Sequence, residues 1–111
     1  MEQHPNLEQI NQVSNTETVF RQLEKYYDKS LYLSTRKNKK YMIEHNGKFI
    51  HFGDINHSDY TKHNDKVRRL NYLKRATKIK GDWASSAVSP NMLSIILLWD
   101  GYKYLIENGI I

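Results

Sequence analysis

The most informative stretch of the chain reads Tyr41-Met42-Ile43-Glu44-His45-Asn46-Gly47-Lys48-Phe49-Ile50-His51-Phe52. The Asn-Gly dipeptide favours the two positive φ angles of a type I′ turn, so this stretch predicts a β-hairpin with a two-residue loop. With that loop, Ile43 lies opposite Ile50, and Tyr41 lies opposite Phe52. These four side chains should share the buried face of the hairpin. The other face should carry Met42, Glu44, Phe49 and His51.

Two weaker signals precede the hairpin. Residues 31–35, Leu-Tyr-Leu-Ser-Thr, alternate enough to predict a short strand, which would make a third strand of the sheet. Before them, a capping residue near Thr16 and the acidic Glu17 predict a helix that ends between residues 28 and 30. Its apolar face would hold Val19, Phe20, Leu23, Tyr26 and Tyr27.

Helices are predicted after the hairpin. Ser58 or Asp59 is suited to cap an early turn, and Asn64 or Asp65 a longer helix near residues 64–80. Its apolar stripe would consist of Val67, Leu70, Leu73 and Thr77. Ser89-Pro90 predicts the start of a helix over residues 90–99, because serine is a good cap and proline fits the first turn. A further short helix should begin near Tyr102.

These elements predict a small α+β fold in which a β-hairpin, with or without a third strand, packs on three to four helices. The single domain should cover residues 15–111. Residues 1–14 are mostly polar, so they are predicted to form a flexible or partner-docked arm. The expected core comprises Phe20, Leu23, Ile43, Ile50, Phe52, Val67, Leu70, Leu73, Trp83, Leu93, Ile96 and Leu97.

Composition narrows the functional classes. The chain has 111 residues and no cysteine, which excludes disulfide scaffolds, cysteine-ligated zinc and thiol catalysis. Its longest apolar run, residues 92–99, is far shorter than the roughly 20 residues that span a bilayer. The N-terminal residues lack the basic and apolar regions of a secretory signal, so we expect a protein that is not secreted.

Positive charge is concentrated in the middle of the chain. The formal net charge is +5, and residues 29–81 hold 14 Lys and Arg against 4 Asp and Glu. Such a segment could attract phosphate groups or an acidic protein surface, and the sequence leaves both open. The candidate phosphate- or partner-binding residues lie on the predicted basic helix: Lys66, Arg68, Arg69, Tyr72, Arg75 and Lys78.

A second pattern involves histidine and aspartate. His51, His57 and His63 alternate with Asp54, Asp59 and Asp65. Three histidines and a carboxylate could bind zinc, but His51 lies in a predicted strand and His63 near a predicted helix start, and their even spacing matches no zinc-site pattern. An endonuclease interpretation is weaker, since no second cluster supplies a metal cage. We therefore expect turn and capping roles, with no catalytic residue, metal, cofactor or small-molecule substrate.

The apolar run Met92–Trp99 has only Ser94 as a polar residue. A helix that is apolar on all sides must be buried on all sides, which is difficult in a chain of this size. Contact with another protein is therefore expected at Met92, Ile95 and Trp99. The apolar C-terminal residues Ile110 and Ile111 should also be docked, on this core or on a neighbouring chain, and they complete the predicted interface.

The segment Ser58-Asp59-Tyr60-Thr61-Lys62-His63-Asn64-Asp65 and the Leu97-Leu98-Trp99 motif carry a resemblance. Together with Phe52-Gly53, the Arg/Tyr-rich helix and Trp83, they resemble a family of short, functionally uncharacterised proteins of large nucleocytoplasmic DNA viruses. The resemblance covers about residues 41–99. It departs at Arg75-Ala76, where the family pattern has Arg-His.

The resemblance implies a viral origin and carries no catalytic residue across. Combined with the apolar helix, it favours a non-enzymatic structural protein, a minor capsid or cement component that contacts other virion proteins. We then expect the chain in the virion or the infected-cell cytoplasm. The alternative is a basic protein that binds DNA or RNA through residues 66–78 and the adjacent hairpin.

Overall fold

The computed structural model describes residues 6–111. A three-stranded antiparallel sheet in the order β1-β2-β3 consists of β1 (Tyr32–Leu33), β2 (Lys39–His45) and β3 (Lys48–Asp54). The helices are α1 (Leu7–Asn11), α2 (Thr16–Tyr26), α3 (Tyr60–His63), α4 (Lys66–Ala76), α5 (Pro90–Leu93) and α6 (Tyr102–Glu107). A 3₁₀ turn covers Trp83–Ser85, and a π-helical turn, Ser94–Leu98, continues α5. The predicted α+β class is thus confirmed.

The hairpin has the predicted register. Ile43 pairs with Ile50 and Tyr41 with Phe52. Asn46 and Gly47 have φ angles of 53° and 80°, as the two-residue turn requires. Tyr41, Ile43 and Phe52 are buried, whereas Ile50 is half-buried against the core. The predicted third strand also forms, although it contains only Tyr32 and Leu33.

Local capping chemistry explains where the helices begin. The side chains of Asn15, Asp59 and Asp65 accept backbone N–H groups at the first turns of α2, α3 and α4. Ser89 does the same for α5, with Pro90 in the first turn as expected. The predictions for Asp59, Asp65 and Ser89 are confirmed. Helix α2 ends at Tyr26, before the predicted limit, and residues 64–80 contribute a helix only over Lys66–Ala76.

The segment of residues 88–105 provides the centre of the core. Met92 is 2% exposed, Ile95 is fully buried and Trp99 is 9% exposed. The apolar helix is therefore covered by this chain's own α2, β3 and α4, and burying it requires no second protein. The expectation that Met92, Ile95 and Trp99 contact a partner does not agree with this burial.

Three residues expected in the core are exposed. Val67 is 70% exposed, and Leu70 and Phe20 are also at the surface. In α4 the buried residues are Leu73 and Ala76, with Tyr72 packed beside them, so the helix is rotated away from the predicted stripe. Phe20 lies outside because Val19 and Leu23, four residues apart, form the buried row of α2.

The described part of the predicted arm, residues 6–14, packs on the domain. Ile10 and Ser14 are fully buried. The Tyr41 hydroxyl donates to Ser14 Oγ at 2.8 Å, and Asp59 N donates to Val13 O at 2.9 Å. Residues 6–14 therefore belong to the same packed unit, while residues 1–5 of the predicted arm lie outside the described residues.

A membrane-crossing helix would need a long, continuously apolar segment. Among residues 6–111, every helix is too short or too polar to provide one.

Candidate functional site

A cleft of about 600 Å³ lies between the hairpin, the loop that follows it, α4 and α5. We call it the α4 cleft. Its polar lining is contributed by Lys39, Lys40, Asp54, His57, Ser58, Asp59, Arg68, Asn71, Arg75, Asn91 and Ser94. Its apolar and aromatic lining is contributed by Phe52, Tyr72, Ile79, Pro90, Leu98 and Trp99. Gly53 of β3 also lines it.

Helical periodicity brings four α4 residues into this cleft. Arg68, Asn71, Tyr72 and Arg75 are spaced at i, i+3, i+4 and i+7, so they form one stripe along the helix. Two arginines of the predicted binding set therefore point to the same concavity, with an amide and a phenol ring between them.

Three cations at the cleft have no acidic partner. Lys39, Arg68 and Arg75 make no ion pair within 4.0 Å to any carboxylate of residues 6–111. The nearby exposed Asp54 lies 3.7 Å from His57, and Asp59 is occupied by Lys40. Since these three cations outnumber the one exposed carboxylate in the lining, the cleft should carry a positive potential that attracts anions.

The floor contains a buried ion pair. Lys40 Nζ lies 3.0 Å from Asp59 Oδ2, and the two side chains are 2% and 1% exposed. Lys40 also donates to the carbonyl of His57 at 2.7 Å. Burial lowers the pKa of Lys40, and the neighbouring Asp59 carboxylate opposes that shift. The pair cancels its own charge and fixes β2 to the loop before α3.

Asp59 is held from the other side as well. Its Oδ1 accepts the backbone N–H of Thr61 at 3.0 Å and the Thr61 hydroxyl. Thr61 Oγ1 in turn accepts the backbone N–H of Asn15 at 2.9 Å. This buried polar chain links the cleft floor to the start of α2, so it makes the floor rigid.

An aromatic wall closes one side of the cleft. Tyr72 stacks on Trp99 with ring centroids 4.1 Å apart, and His63 packs 5.2 Å from the same indole. Burial raises the pKa of Tyr72 to about 12, so its hydroxyl is neutral at physiological pH. The wall thus presents the partly exposed Tyr72 beside the arginines, with the buried Trp99 stacked against it.

The structure separates the predicted binding residues into three groups. Arg68, Tyr72 and Arg75 line the cleft. Arg69 instead donates to the carbonyls of Trp99, at 3.0 Å, and Asp100, at 2.6 Å, where it stabilises the end of the π-helical turn. Lys66 at the start of α4 and Lys78 just after its end are exposed and lie outside the cleft lining.

Several cleft residues were not identified from the sequence. Lys39 and Lys40 lie outside the predicted basic helix, Asn91 directly precedes the apolar run, and Ser94 lies within it. Because neighbouring strand residues point to opposite faces, the sequence pattern would not place both lysines at one cleft. The acidic Asp59 was assigned as a cap, which it is, but its pairing with Lys40 required the tertiary fold.

The remaining predicted residues are dispersed. Among residues 6–111, no three of His, Asp and Glu are placed to share a metal ion. Asp59 and Asp65 cap helices, and His51 shares a 2.7 Å hydrogen bond between its Nδ1 and Ser34 Oγ. Near the C-terminus, Ile110 packs half-buried against the core, whereas Ile111 is exposed.

Comparison with known proteins gives one match. Residues 29–76 are similar to a family of unknown function, DUF5754, and the match covers less than half of the chain. No curated protein and no solved structure matches the chain. The matched segment contains the sheet, the Lys40–Asp59 pair and the whole of α4, which together form the basic side of the α4 cleft.

Proposed function

We propose that the chain binds nucleic acid non-enzymatically, with the α4 cleft holding the phosphate backbone. The observation that carries the proposal is the convergence of Lys39, Arg68 and Arg75 on one cleft without acidic partners among residues 6–111. Cations that neutralise phosphates release bound counterions, which drives binding at low salt. The hairpin and α4 act together in this interface.

Arginine chemistry supports phosphate as the ligand. The guanidinium group is planar, permanently charged and able to donate two parallel hydrogen bonds to one phosphate. Arg68 and Arg75 lie two helical turns apart, about 10 Å along the axis, so they can contact separate phosphates of one strand. The Lys40–Asp59 pair beneath them is already neutralised and serves as a fixed support.

The test is a triple substitution, Lys39→Ala/Arg68→Ala/Arg75→Ala. We expect the affinity for a labelled oligonucleotide, measured by fluorescence anisotropy at low salt, to fall at least about tenfold. The slope of log affinity against log salt should become shallower by about two units, since roughly three phosphate contacts are lost.

A matched control removes the same charge elsewhere. Lys66 and Lys74 on α4, and Lys78 just after it, are exposed and lie outside the cleft lining. The variant Lys66→Ala/Lys74→Ala/Lys78→Ala should therefore keep most of the affinity. Equal losses in the two variants would mean that binding depends on net charge and not on the cleft, which contradicts the proposal.

Assembly into a virion, as a minor capsid or cement protein, is the second candidate. The exposed aliphatic side chains of Val67, Leu70 and Ile111 favour it, together with the viral resemblance described above. Apolar contacts respond little to salt, unlike phosphate contacts. Analytical ultracentrifugation tests this candidate. Self-association that is independent of salt and is abolished by Val67→Ser/Leu70→Ser, in a protein that binds no oligonucleotide, would favour assembly over nucleic-acid binding.

A further inference from the structure

We propose that the α4 cleft is specific for single strands, because it seats one unpaired nucleobase against the apolar part of its lining. This inference rests on the proposed nucleic-acid function. It adds the form of the ligand: an exposed base beside the phosphates held by Arg68 and Arg75.

The shape of the site argues against a duplex. A helix that reads a duplex projects its side chains into a major groove about 12 Å wide. Here the Arg68–Arg75 stripe of α4 faces a cleft that is walled by Lys39 and Phe52 of the hairpin and by Pro90 of α5. A paired and stacked base cannot enter such a concavity, whereas an unpaired base can.

The volume suits a ligand of nucleotide size. Sites for small molecules enclose about 300–1,000 Å³, and the cleft measures about 600 Å³. The cleft therefore has room for one base with its sugar and phosphates. The rest of the strand would remain outside, near the exposed lysines of α4.

The lining matches the chemistry of a base. The accessible apolar and aromatic surface for its flat faces comes from Tyr72, Ile79 and Pro90, because the lining residues Phe52, Leu98 and Trp99 are buried. Polar groups that can both donate and accept hydrogen bonds surround that surface, as the base edge requires: Ser58, Asn71, Asn91 and Ser94. Asn91 is held in place because its Nδ2 donates to the carbonyl of Ala76 at 3.0 Å. Aromatic surface beside cations is the usual arrangement for single strands.

The two tryptophans make the base contact measurable. Trp99 lines the cleft, whereas Trp83 does not. In Trp83→Phe, the remaining indole fluorescence therefore reports on the cleft alone. The probes are an oligothymidylate of about 12 nucleotides, the same length of oligouridylate, a mixed-sequence duplex, and an abasic strand that keeps the phosphates but lacks bases.

We expect the thymidylate or uridylate strand to quench the fluorescence of Trp99 and to bind about tenfold more tightly than the abasic strand and the duplex. Nearly equal affinities for the thymidylate and uridylate strands would mean that the site does not distinguish between the two sugars. A ratio above about fivefold would identify the preferred strand, and either ratio agrees with the inference.

Two outcomes separate this inference from the function on which it rests. In the first outcome, the abasic strand, the duplex and the thymidylate strand bind equally well, and all binding is lost in Lys39→Ala/Arg68→Ala/Arg75→Ala. This result would overturn the inference that the cleft holds a base, and it would leave the proposal of backbone binding intact. Absence of binding to all four probes would overturn both. The second variant is Asn71→Met, which narrows the cleft from an exposed position of α4. It should weaken the binding of the thymidylate strand and leave the binding of the abasic strand unchanged.

Discussion

Asp59 holds two residues in the fold. Its carboxylate pairs with Lys40 and accepts the N–H and the hydroxyl of Thr61, and the bond from the N–H is the one that caps α3. A buried charge that loses its partner is costly, because the remaining ion is neither hydrated nor neutralised. The stability of the cleft floor therefore depends on this one side chain more than on any exposed ion pair nearby.

We expect Asp59→Asn to lower the free energy of unfolding by about 3–5 kcal/mol, measured by urea denaturation. The asparagine oxygen can still cap α3, so the loss reports mainly on the unpaired Lys40. In the double variant Lys40→Met/Asp59→Asn no buried charge remains, and most of the stability should return. A double variant no more stable than Asp59→Asn would contradict this account.

Two histidines make stability depend on pH. Burial lowers the pKa of His51, assisted by Arg36 and Lys39. Burial also lowers the pKa of His63, where Arg68 and Lys40 add to the effect and Asp65 and Asp59 oppose it. Below the ordinary value of 6.5 the unfolded chain then binds more protons than the folded chain, so acid favours unfolding.

Accordingly, the free energy of unfolding should fall as the pH is lowered from about 7 to about 5. Urea denaturation across this range should show a shallower fall for His51→Gln/His63→Gln than for the parent. The remaining histidines are the same in both proteins and serve as the internal reference. A parallel decline in the two proteins would show that these imidazoles do not cause the pH dependence.

At the scale of elements, the junction between the π-helical turn and α6 is packed most tightly. Gly101 N donates to Ile95 O at 2.8 Å. A Cβ at this glycine would lie 2.5 Å from Ile95 Cγ2 and 2.7 Å from Leu73 Cδ2. The backbone there approaches both side chains more closely than any residue with a side chain allows.

Gly101→Ala should therefore destabilise the protein by about 3 kcal/mol, the upper part of the range for overpacked cores. The glycine has no positive φ, so the loss would measure contact and not backbone strain. Thermal unfolding followed by circular dichroism gives the value, with the exposed Lys103→Ala on α6 as the control. A melting temperature equal to that of the control would show that Ile95 and Leu73 move aside freely.

Turns and helix starts that are determined by neighbouring residues in the chain were predictable from the sequence. The Asn46-Gly47 turn fixes its own register, and Asp59, Asp65 and Ser89 cap the helices that follow them. The face of α4 was not predictable from apolar spacing. Arg69 lies over the ring of Tyr60, at 5.5 Å from its centroid, and Tyr72 stacks on Trp99. Long amphipathic side chains can bury their apolar parts, which a count of aliphatic residues does not detect.

At the scale of the whole molecule, the candidate site is only partly visible in the sequence. The arginines of α4 were identifiable from charge and spacing. Their association with Lys39 and Asn91 depends on contacts between distant segments, which no local pattern encodes. The burial of residues 92–99 was also misjudged from the sequence, because α1, α2 and the sheet together enclose more apolar surface than a hairpin and a few helices suggested.

The position of the core residues along the chain has a consequence for biosynthesis. Residues 29–76 emerge from the ribosome before residues 88–105, which cover Leu73, Ala76 and Gly53. At about 5–20 residues per second, the intervening synthesis takes on the order of seconds. During that interval the hairpin and α4 present uncovered apolar surface, so the nascent chain is most exposed to chaperones and to aggregation just before its core closes.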